Sequence, residues 1–405
     1  MIMRSWTLAI ALAVSALAMT WPGSGQAQQG LTPNEIAIGA FGPISGPVAY
    51  SGIGARAGLE LAVSEINQNG GINGRKVRLI FEASGSDPAE FLAAAKKLTE
   101  SDKVFALVIA SGSIGAAAAA EYIREQRIID YNIIAATPKI HQPLSPNIFH
   151  GAAGPAAGYA KTTIDQLLSL QPRPKKLAVL VETISYHKAV VEALKPRLQA
   201  AGIEVATIQE FASGDRDFTG QLLAVRRAQP DAILASGEAP PVAFLMKQAV
   251  EGMGMKNLQW IVASSAITQE FPKIGGSAVE GARSTWHNLQ YHGEKAGDMP
   301  KFEAAWRKLN PNAPVGRPSY LDLAAYNGMY ILALAIKNAG KDPNWKSVQA
   351  AFESLKDATP SKFGRWAADT QAPESFSADD HQGNDRLYEV QVTGGQWKVN
   401  TNRVF

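Results

Sequence analysis

VFALVIA, Val104 to Ala110, runs for seven residues without a polar side chain. A strand with one wet face alternates apolar and polar residues, so a run of this kind belongs to a strand covered on both faces. Similar runs recur as IAIGA (Ile36–Ala40), LAVLV (Leu177–Val181), AILAS (Ala232–Ser236) and WIVAS (Trp260–Ser264). Helix-like segments separate them. Strand and helix in alternation, with the strands apolar throughout, predict parallel sheets carrying helices on both sides. The 405 residues suffice for two such units, and the pattern restarts at Leu177. The predicted fold class is therefore α/β, with two doubly wound parallel-sheet lobes.

Local punctuation supports the pattern. Asn69-Gly70 stops a helix, Asn73-Gly74 makes a tight turn, and a strand follows from Val77 to Phe81. Asp87-Pro88 caps a helix predicted to reach Leu98, with proline at its first position. The segments near Phe149–Pro155 and Arg283–Asn288 read as crossings between lobes, and a long helix, Tyr320–Asn338, as a return to the first lobe. RLYEVQV and GGQWKV read as a hairpin turning through Thr393-Gly394-Gly395. The implied organisation is residues 28–150 plus about 288–355 in one lobe, and 151–287 plus about 356–405 in the other.

The N-terminus has a different character. MIMR carries one positive charge, Trp6 to Met19 is apolar and uncharged, and PGSGQAQQ follows with Gly25 and Ala27 in small-x-small spacing. This predicts a cleavable secretory signal peptide at residues 1–27; the apolar run is shorter than the roughly 18 residues a membrane span requires. The chain has no cysteine, which excludes disulfides, thiol chemistry and lipid attachment through a cysteine. The net charge is +3, and the basic residues come in short pairs such as Lys175-Lys176 and Arg226-Arg227. No nucleic-acid or membrane-surface partner is expected from such a distribution.

Ligands of parallel sheets sit beyond the carboxyl ends of the strands. Three loops of the first lobe occupy that position: Gly42–Gly52, Ser111-Gly112-Ser113 and Ala135-Ala136-Thr137. They offer hydroxyls and amides at helix N-termini and no carboxylate, a set suited to an anion and most simply to a carboxylate. Helix capping alone accounts for the serine or threonine of any one loop; three converging loops favour binding. The second lobe places Tyr186, Glu238 and Ser264-Ser265 at equivalent strand ends. A tyrosine there covers a ligand, and a glutamate meets a cation or hydroxyl. Glu238 also has an ordinary reading, as a solvated charge at the start of a helix.

Chemistry is poorly supported. SGSIG (Ser111–Gly115) departs by one residue from the G-x-S-x-G nucleophile elbow, and Asp379, Asp380 and His381 follow in hydrolase order. An HGG-type oxyanion segment is missing, and the aspartates adjoin the histidine, so a secreted serine hydrolase built on Ser113 is a remote alternative. FGPISG lacks dinucleotide-fingerprint spacing, and no Gly-Lys-Ser/Thr run exists. His141, His150, His187, His287, His292 and His381 show no metal-ligand spacing. Neither cofactor nor metal is predicted.

Read in order, IGAFGPISGPVAYSG, EINQNGGINGRKV, IASGSIGAAAA, IIAATP, DFTGQLLAVRRAQPDAIL, LAAYNGMYILALAIKNAG and DDHQGNDRLYEVQV resemble the leucine/isoleucine/valine-type (type I) periplasmic solute-binding proteins of ABC transporters. The resemblance covers nearly all of the chain after residue 27. It implies two α/β lobes joined by three hinge crossings, closing on a small solute. It also implies a monomeric protein in the periplasm, delivering that solute to membrane permease subunits. Ser45 and Gly46 then lie on the cleft rim with the nearby amides. Ser111 matches the serine that bonds a ligand carboxylate, beside Gly112 and Ser113. Ala135 and Thr137 match the carbonyl and hydroxyl that meet an amino-acid head group, and Tyr186 matches the tyrosine that closes over the ligand. Two positions depart. Glu238 stands where the leucine binders have another tyrosine, and Ser264 where they have the glutamate that holds the ammonium. A branched-chain amino acid or related carboxylate is the implied solute. Aromatic acids, urea, amides and a periplasmic sensor role are alternatives on the same fold.

Overall fold

The computed structural model describes residues 28–45, 49–85, 87–135, 137–151, 156–289, 297–312, 318–383 and 387–405. The segment read as a signal peptide, and Gly46 of the first loop, lie outside the described residues. The first sheet comprises β1 (Glu35–Pro43), β2 (Lys76–Ser84), β3 (Ala106–Ile109), β4 (Ile129–Asn132) and β5 (Ile148–His150). Its order is β2-β1-β3-β4-β5, and every pairing is parallel. α1 (Ala49–Gln68), α2 (Pro88–Lys96), α3 (Ser113–Gln126) and the short α4 (Pro138–His141) connect these strands.

β3 shows why its sequence is apolar without interruption. Ala106 and Val108 enter one hydrophobic cluster while Leu107 and Ile109 enter another, as successive side chains of a strand leave on opposite faces. β2 extends beyond the expected Val77–Phe81 at both ends. α2 starts as expected, with Asp87 accepting from the Ala89 N–H at 2.8 Å in a capping box with Glu90, and Pro88 in the first turn. It ends earlier than expected, at Lys96, and continues as a π-helical turn over Lys97–Ser101.

After α5 (Ala156–Ser169) come β6 (Lys176–Glu182), α6 (Ser185–Ala200), β7 (Glu204–Phe211), α7 (Thr219–Ala228), β8 (Ala232–Ser236), α8 (Ala239–Lys247), β9 (Gln259–Val262), α9 (Glu270–Gly275) and β10 (Arg283–Trp286). The strands run β7-β6-β8-β9-β10, the same winding as the first sheet. Two further strands, β11 (Tyr388–Val392) and β12 (Trp397–Val404), add to β10 as an antiparallel pair, so this sheet is mixed. Their turn is the predicted one, with φ of +63° at Gly394 and +72° at Gly395. One expectation is corrected here. Arg283–Trp286 was read as part of a crossing, but it is a strand whose polar residues are buried because partners meet them. The Gln166 amide donates to the Ser284 carbonyl at 2.8 Å, and the Thr162 and Thr285 hydroxyls lie 3.3 Å apart. The crossing starts at His287.

α10 (Met299–Leu309), α11 (Tyr320–Asn338), α12 (Trp345–Ser354) and α13 (Pro360–Phe363) lie between β10 and β11 in sequence, and α11 packs back on α1. Leu321 through Ile336 of α11 are all buried. The helices approach closely at Gly58 of α1, where an added Cβ would lie 2.1 Å from the Asp322 carbonyl oxygen. Tyr326 and Tyr330 of α11 donate to Glu65 of α1 at 2.6 and 2.7 Å.

The chain passes between the sheets after β5, after β10 and between α13 and β11. These passages bond to one another. Leu289 N–H donates to Thr370 C=O at 2.9 Å, Ala372 N–H to His287 C=O at 2.8 Å, and Gly383 N–H to His150 C=O at 2.8 Å. Glu374, fully buried in the third passage, accepts from the Tyr131 hydroxyl at 2.6 Å, the Asn327 amide at 2.7 Å and the Gln371 amide at 3.1 Å. Desolvation outweighs these three donors and pushes its carboxyl from 4.5 up to about 7. Between those values the folded protein keeps a proton that the unfolded chain has lost. Stability is therefore fullest below pH 4.5, falls as pH rises through the window, and levels off above about 7. Glu374→Gln, which stays uncharged, is expected to shrink the difference in urea midpoint between pH 5 and pH 8. An unchanged difference would remove Glu374 as its source.

Candidate functional site

β3 ends at Ile109, and Ser111 and Gly112 lead directly into α3. Gly112 is the N-cap residue and has no side chain to bond the first-turn amides, and that turn holds no acidic residue. Ser111 is 2% exposed, and its Oγ lies 3.4 Å from the Gly112 carbonyl, a long contact that leaves the hydroxyl most of its bonding capacity. Gly115 keeps space for that hydroxyl, since a Cβ there would lie 2.5 Å from it.

These residues face a cavity of about 310 Å³. Ser111, Gly112, Ser113 and Ile114 line it with Ser51 of α1, Phe91 of α2, Ile134 after β4 and Tyr320 from the side of the first sheet; Tyr159 and Trp286 come from the side of the second, and His287 begins the passage between them. Tyr159 belongs to α5, Trp286 ends β10, and Tyr320 starts α11. The two sheets thus contribute opposite sides of one cleft, at the carboxyl ends of β3 and β10. Among the described residues, those lining it include no Asp, Glu, Lys or Arg. His287 is 2% exposed, and neither ring nitrogen has a hydrogen-bond partner. Burial pushes its pKa down to about 3, so the ring is neutral at physiological pH.

Tyr159 also lines a second space of about 20 Å³, enough for a water, together with Tyr186, His187, Ser236 and Ser264. Ser264 lines the space beside the phenols of Tyr159 and Tyr186, whose rings meet edge to face at 6.2 Å. Desolvation raises Tyr159 to about 12 and Tyr186 well above the ordinary phenol value, so both remain protonated. Glu238 stands at the N-cap of α8 with its side chain 49% exposed. Its carboxylate is 3.3 Å from Nε2 of the buried His187, whose Nδ1 is 3.3 Å from the Ser236 Oγ. The Glu238 N–H donates to the buried Glu182 carboxylate at 2.6 Å.

The structure therefore brings Ser111, Gly112 and Ser113 together on the larger cavity, and Tyr186 and Ser264 on the smaller space beside it. Ser45 is exposed beyond the end of β1, and Glu238 lines neither space. Ala135 is buried with its N–H donating to the Asn132 side chain at 3.0 Å, and the Thr137 hydroxyl accepts from the Lys139 N–H at 3.4 Å. Among the described residues of their loop, Ile134 lines the cavity. Sequence reading missed Tyr159, Trp286, His287 and Tyr320. The strand-end rule would have found Trp286 and His287 had Arg283–Trp286 been read as a strand. Among the described residues, His381 is engaged with groups other than those of the Ser113 hydrolase reading. His381 stacks on Phe149 at 4.0 Å, with Nδ1 3.1 Å from the Ile148 carbonyl and Nε2 3.3 Å from Glu353. Among the described residues there is no cluster able to hold a metal ion and no helix long and apolar enough to cross a membrane.

Comparison with known proteins agrees with this architecture. The leucine-, isoleucine-, valine-, threonine- and alanine-binding protein of Pseudomonas aeruginosa is 26% identical over 343 residues, spanning 83% of this chain and 87% of that one. The branched-chain amino acid transporter substrate-binding protein LivJ of Streptococcus pneumoniae, solved with isoleucine, superposes with a TM-score of 0.65 at 22% identity, covering 91% of this chain and 99% of its own. A solute-binding protein of an R. palustris ABC transporter, solved with 4-hydroxybenzoate, gives 0.68 at 21% identity, covering 92% and 97%. The family model described as "Periplasmic binding protein" matches residues 35–396, which include every residue of the cleft, and the chain belongs to that family, with its type I fold.

Proposed function

We propose that the protein is the periplasmic solute-binding component of an ABC importer, holding a small carboxylate in the cleft and presenting it to membrane permease subunits. The observation that carries this reading is the N-terminus of α3, where Gly112 brings no capping side chain, on a cavity of about 310 Å³ that it shares with Ser111 and the rings of Phe91, Tyr159, Trp286 and Tyr320. Peptide dipoles at such a terminus favour an anion, and no carboxylate among the described lining residues opposes one. The proposed lobes are residues 28–150 plus about 288–355, with α13 packed on them, around the first sheet, and 151–287 plus the rest of about 356–405 around the second. Closure on the ligand is the signal to the permease. This is grip without turnover.

The described lining residues carry no charge and favour a carboxylate that lacks an ammonium, because a buried ammonium without a partner is costly. A branched-chain amino acid is the second reading, favoured by the name of the Pseudomonas relative; Glu238 would then have to reach the ammonium from outside the cavity lining. Thermal unfolding against leucine, isoleucine, benzoate, short dicarboxylates and urea separates the two. At 100 times Kd a ligand stabilises by about 2.7 kcal/mol and raises the midpoint by a few degrees. The expected shift comes with carboxylates that have no ammonium. A shift with leucine alone establishes the second reading, and a panel in which no carboxylate acts overturns both.

A further inference from the structure

Tyr159, in the first turn of α5, stands where the two spaces of the cleft meet. It lines the cavity of about 310 Å³ that holds the α3 N-terminus, and it also lines the second space of about 20 Å³. Among the described residues, no other lines both. The far space differs in character from the near one. Thr163, Gln166, Ser236, Ser264, Ser284 and Thr285 give it a polar lining, and its size suits a water. Tyr186 and Ser264, expected on the solute site, line this far space and not the cavity. The Tyr159 ring is also held in place. It meets the Tyr186 ring edge to face at 6.2 Å and packs in a small apolar cluster with Val190 and Leu387. A ring fixed by close-packed neighbours makes a wall that a ligand does not push aside.

We propose that Tyr159 is a specificity-determining residue, whose ring closes the second-sheet end of the cavity and sets the greatest length of solute the cleft admits. A carboxylate held at α3, on the first-sheet side, directs the rest of the solute across the cavity towards Tyr159. Each further methylene that the cavity covers raises affinity about fourfold. That gain ends where the solute meets the ring. Without the ring the two spaces become one, and longer solutes recover the contact they had lost.

The inference rests on the cleft being the solute site, and the experiment tells the failure of one from that of the other. Two graded series are titrated calorimetrically into the full mature chain: straight-chain carboxylates from butanoate to decanoate, and benzoates bearing para-alkyl chains from methyl to butyl. In wild type, affinity is expected to rise along a series and then stop rising. Tyr159→Ala should bind the members beyond that point about tenfold or more tightly than wild type does, the gain from two newly covered methylenes, and leave the shortest members nearly unchanged. Tyr159→Phe, which keeps the ring, should keep the wild-type profile. A wild-type affinity that climbs through the longest members overturns the inference, as does the same length profile in Tyr159→Ala as in wild type. A uniform loss across both series in Tyr159→Ala marks a structural role and overturns it too. So does a shifted profile in Tyr159→Phe, because the hydroxyl and not the ring would then set the limit. In each of these cases carboxylate binding to wild type leaves the solute-binding reading in place. A wild type that binds no member of either series overturns the inference together with the ammonium-free carboxylate reading it rests on. Should Tyr159→Ala not fold, Tyr159→Leu is expected to give a smaller shift in the same direction, and no shift there overturns the inference.

Discussion

Ser111→Ala is expected to weaken carboxylate binding by at least about tenfold while leaving the unliganded melting temperature nearly unchanged. A hydrogen bond to a charged group contributes about 1.5–3 kcal/mol, and tenfold in affinity corresponds to about 1.4 kcal/mol. The unliganded fold loses little, because the Ser111 hydroxyl has only the 3.4 Å contact to Gly112 to lose. The residue is 2% exposed and borders Gly115 and, through it, Phe91, so alanine fits the same space. The measurement is titration with whichever panel carboxylate gives the largest thermal shift. Unchanged affinity would show that the α3 terminus is an ordinary helix start, and the proposed cleft would lose its anion-binding end.

Gly58→Ala should destabilise the protein by about 3 kcal/mol, at the upper end of the cost of overpacking. Intrinsic preference points the other way, since alanine is the better helix former by about 1 kcal/mol in a helix interior. Contact decides the sign. The added Cβ would lie 2.1 Å from the Asp322 carbonyl oxygen, a backbone atom that cannot swing aside, so α1 and α11 must part. Their separation also strains the bonds from Tyr326 and Tyr330 to Glu65. Gly220 of α7 is the control. Nothing lies within 4 Å of a Cβ built there, so Gly220→Ala is expected to be neutral or to stabilise by up to about 1 kcal/mol. Urea unfolding of both variants checks the pair, and a Gly58→Ala protein as stable as wild type would refute the close helix contact.

Much of the architecture was legible wherever a residue's environment is written in its neighbours. The apolar runs of β3, β6 and β8 are strands covered on both faces, the Asp87-Pro88 pair starts a helix, and the paired glycines at 394 and 395 turn a hairpin. The Ser111–Ser113 wall was legible for the same reason, as a small-residue loop between an apolar strand and a helix. β10 was not, because Arg-Ser-Thr-Trp has no apolar periodicity; its polar atoms are satisfied by Thr162 and Gln166, more than a hundred residues away. The aromatic lining was hidden for a related reason. Tyr159, Trp286 and Tyr320 are unremarkable in sequence and acquire a common purpose only when three separate passages of chain meet. Glu374 looks like any surface glutamate until Tyr131, Asn327 and Gln371 enclose it.

The pairing of α1 with α11 also sets an order of events during synthesis. Residues 49–68 are made early, but the helix that covers them is residues 320–338, and β6 through β10 are made in between. For most of that interval the face of α1 around Gly58 has nothing to pack against, and the first sheet must wait with apolar surface uncovered. Contacts of such sequence separation are slow to form, and exposed intermediates are where aggregation competes with folding. The second sheet is delayed as well, because β11 and β12 add to β10 only after the helices between them have been made. Neither lobe is therefore completed by residues contiguous in sequence, and both wait for segments that follow β10.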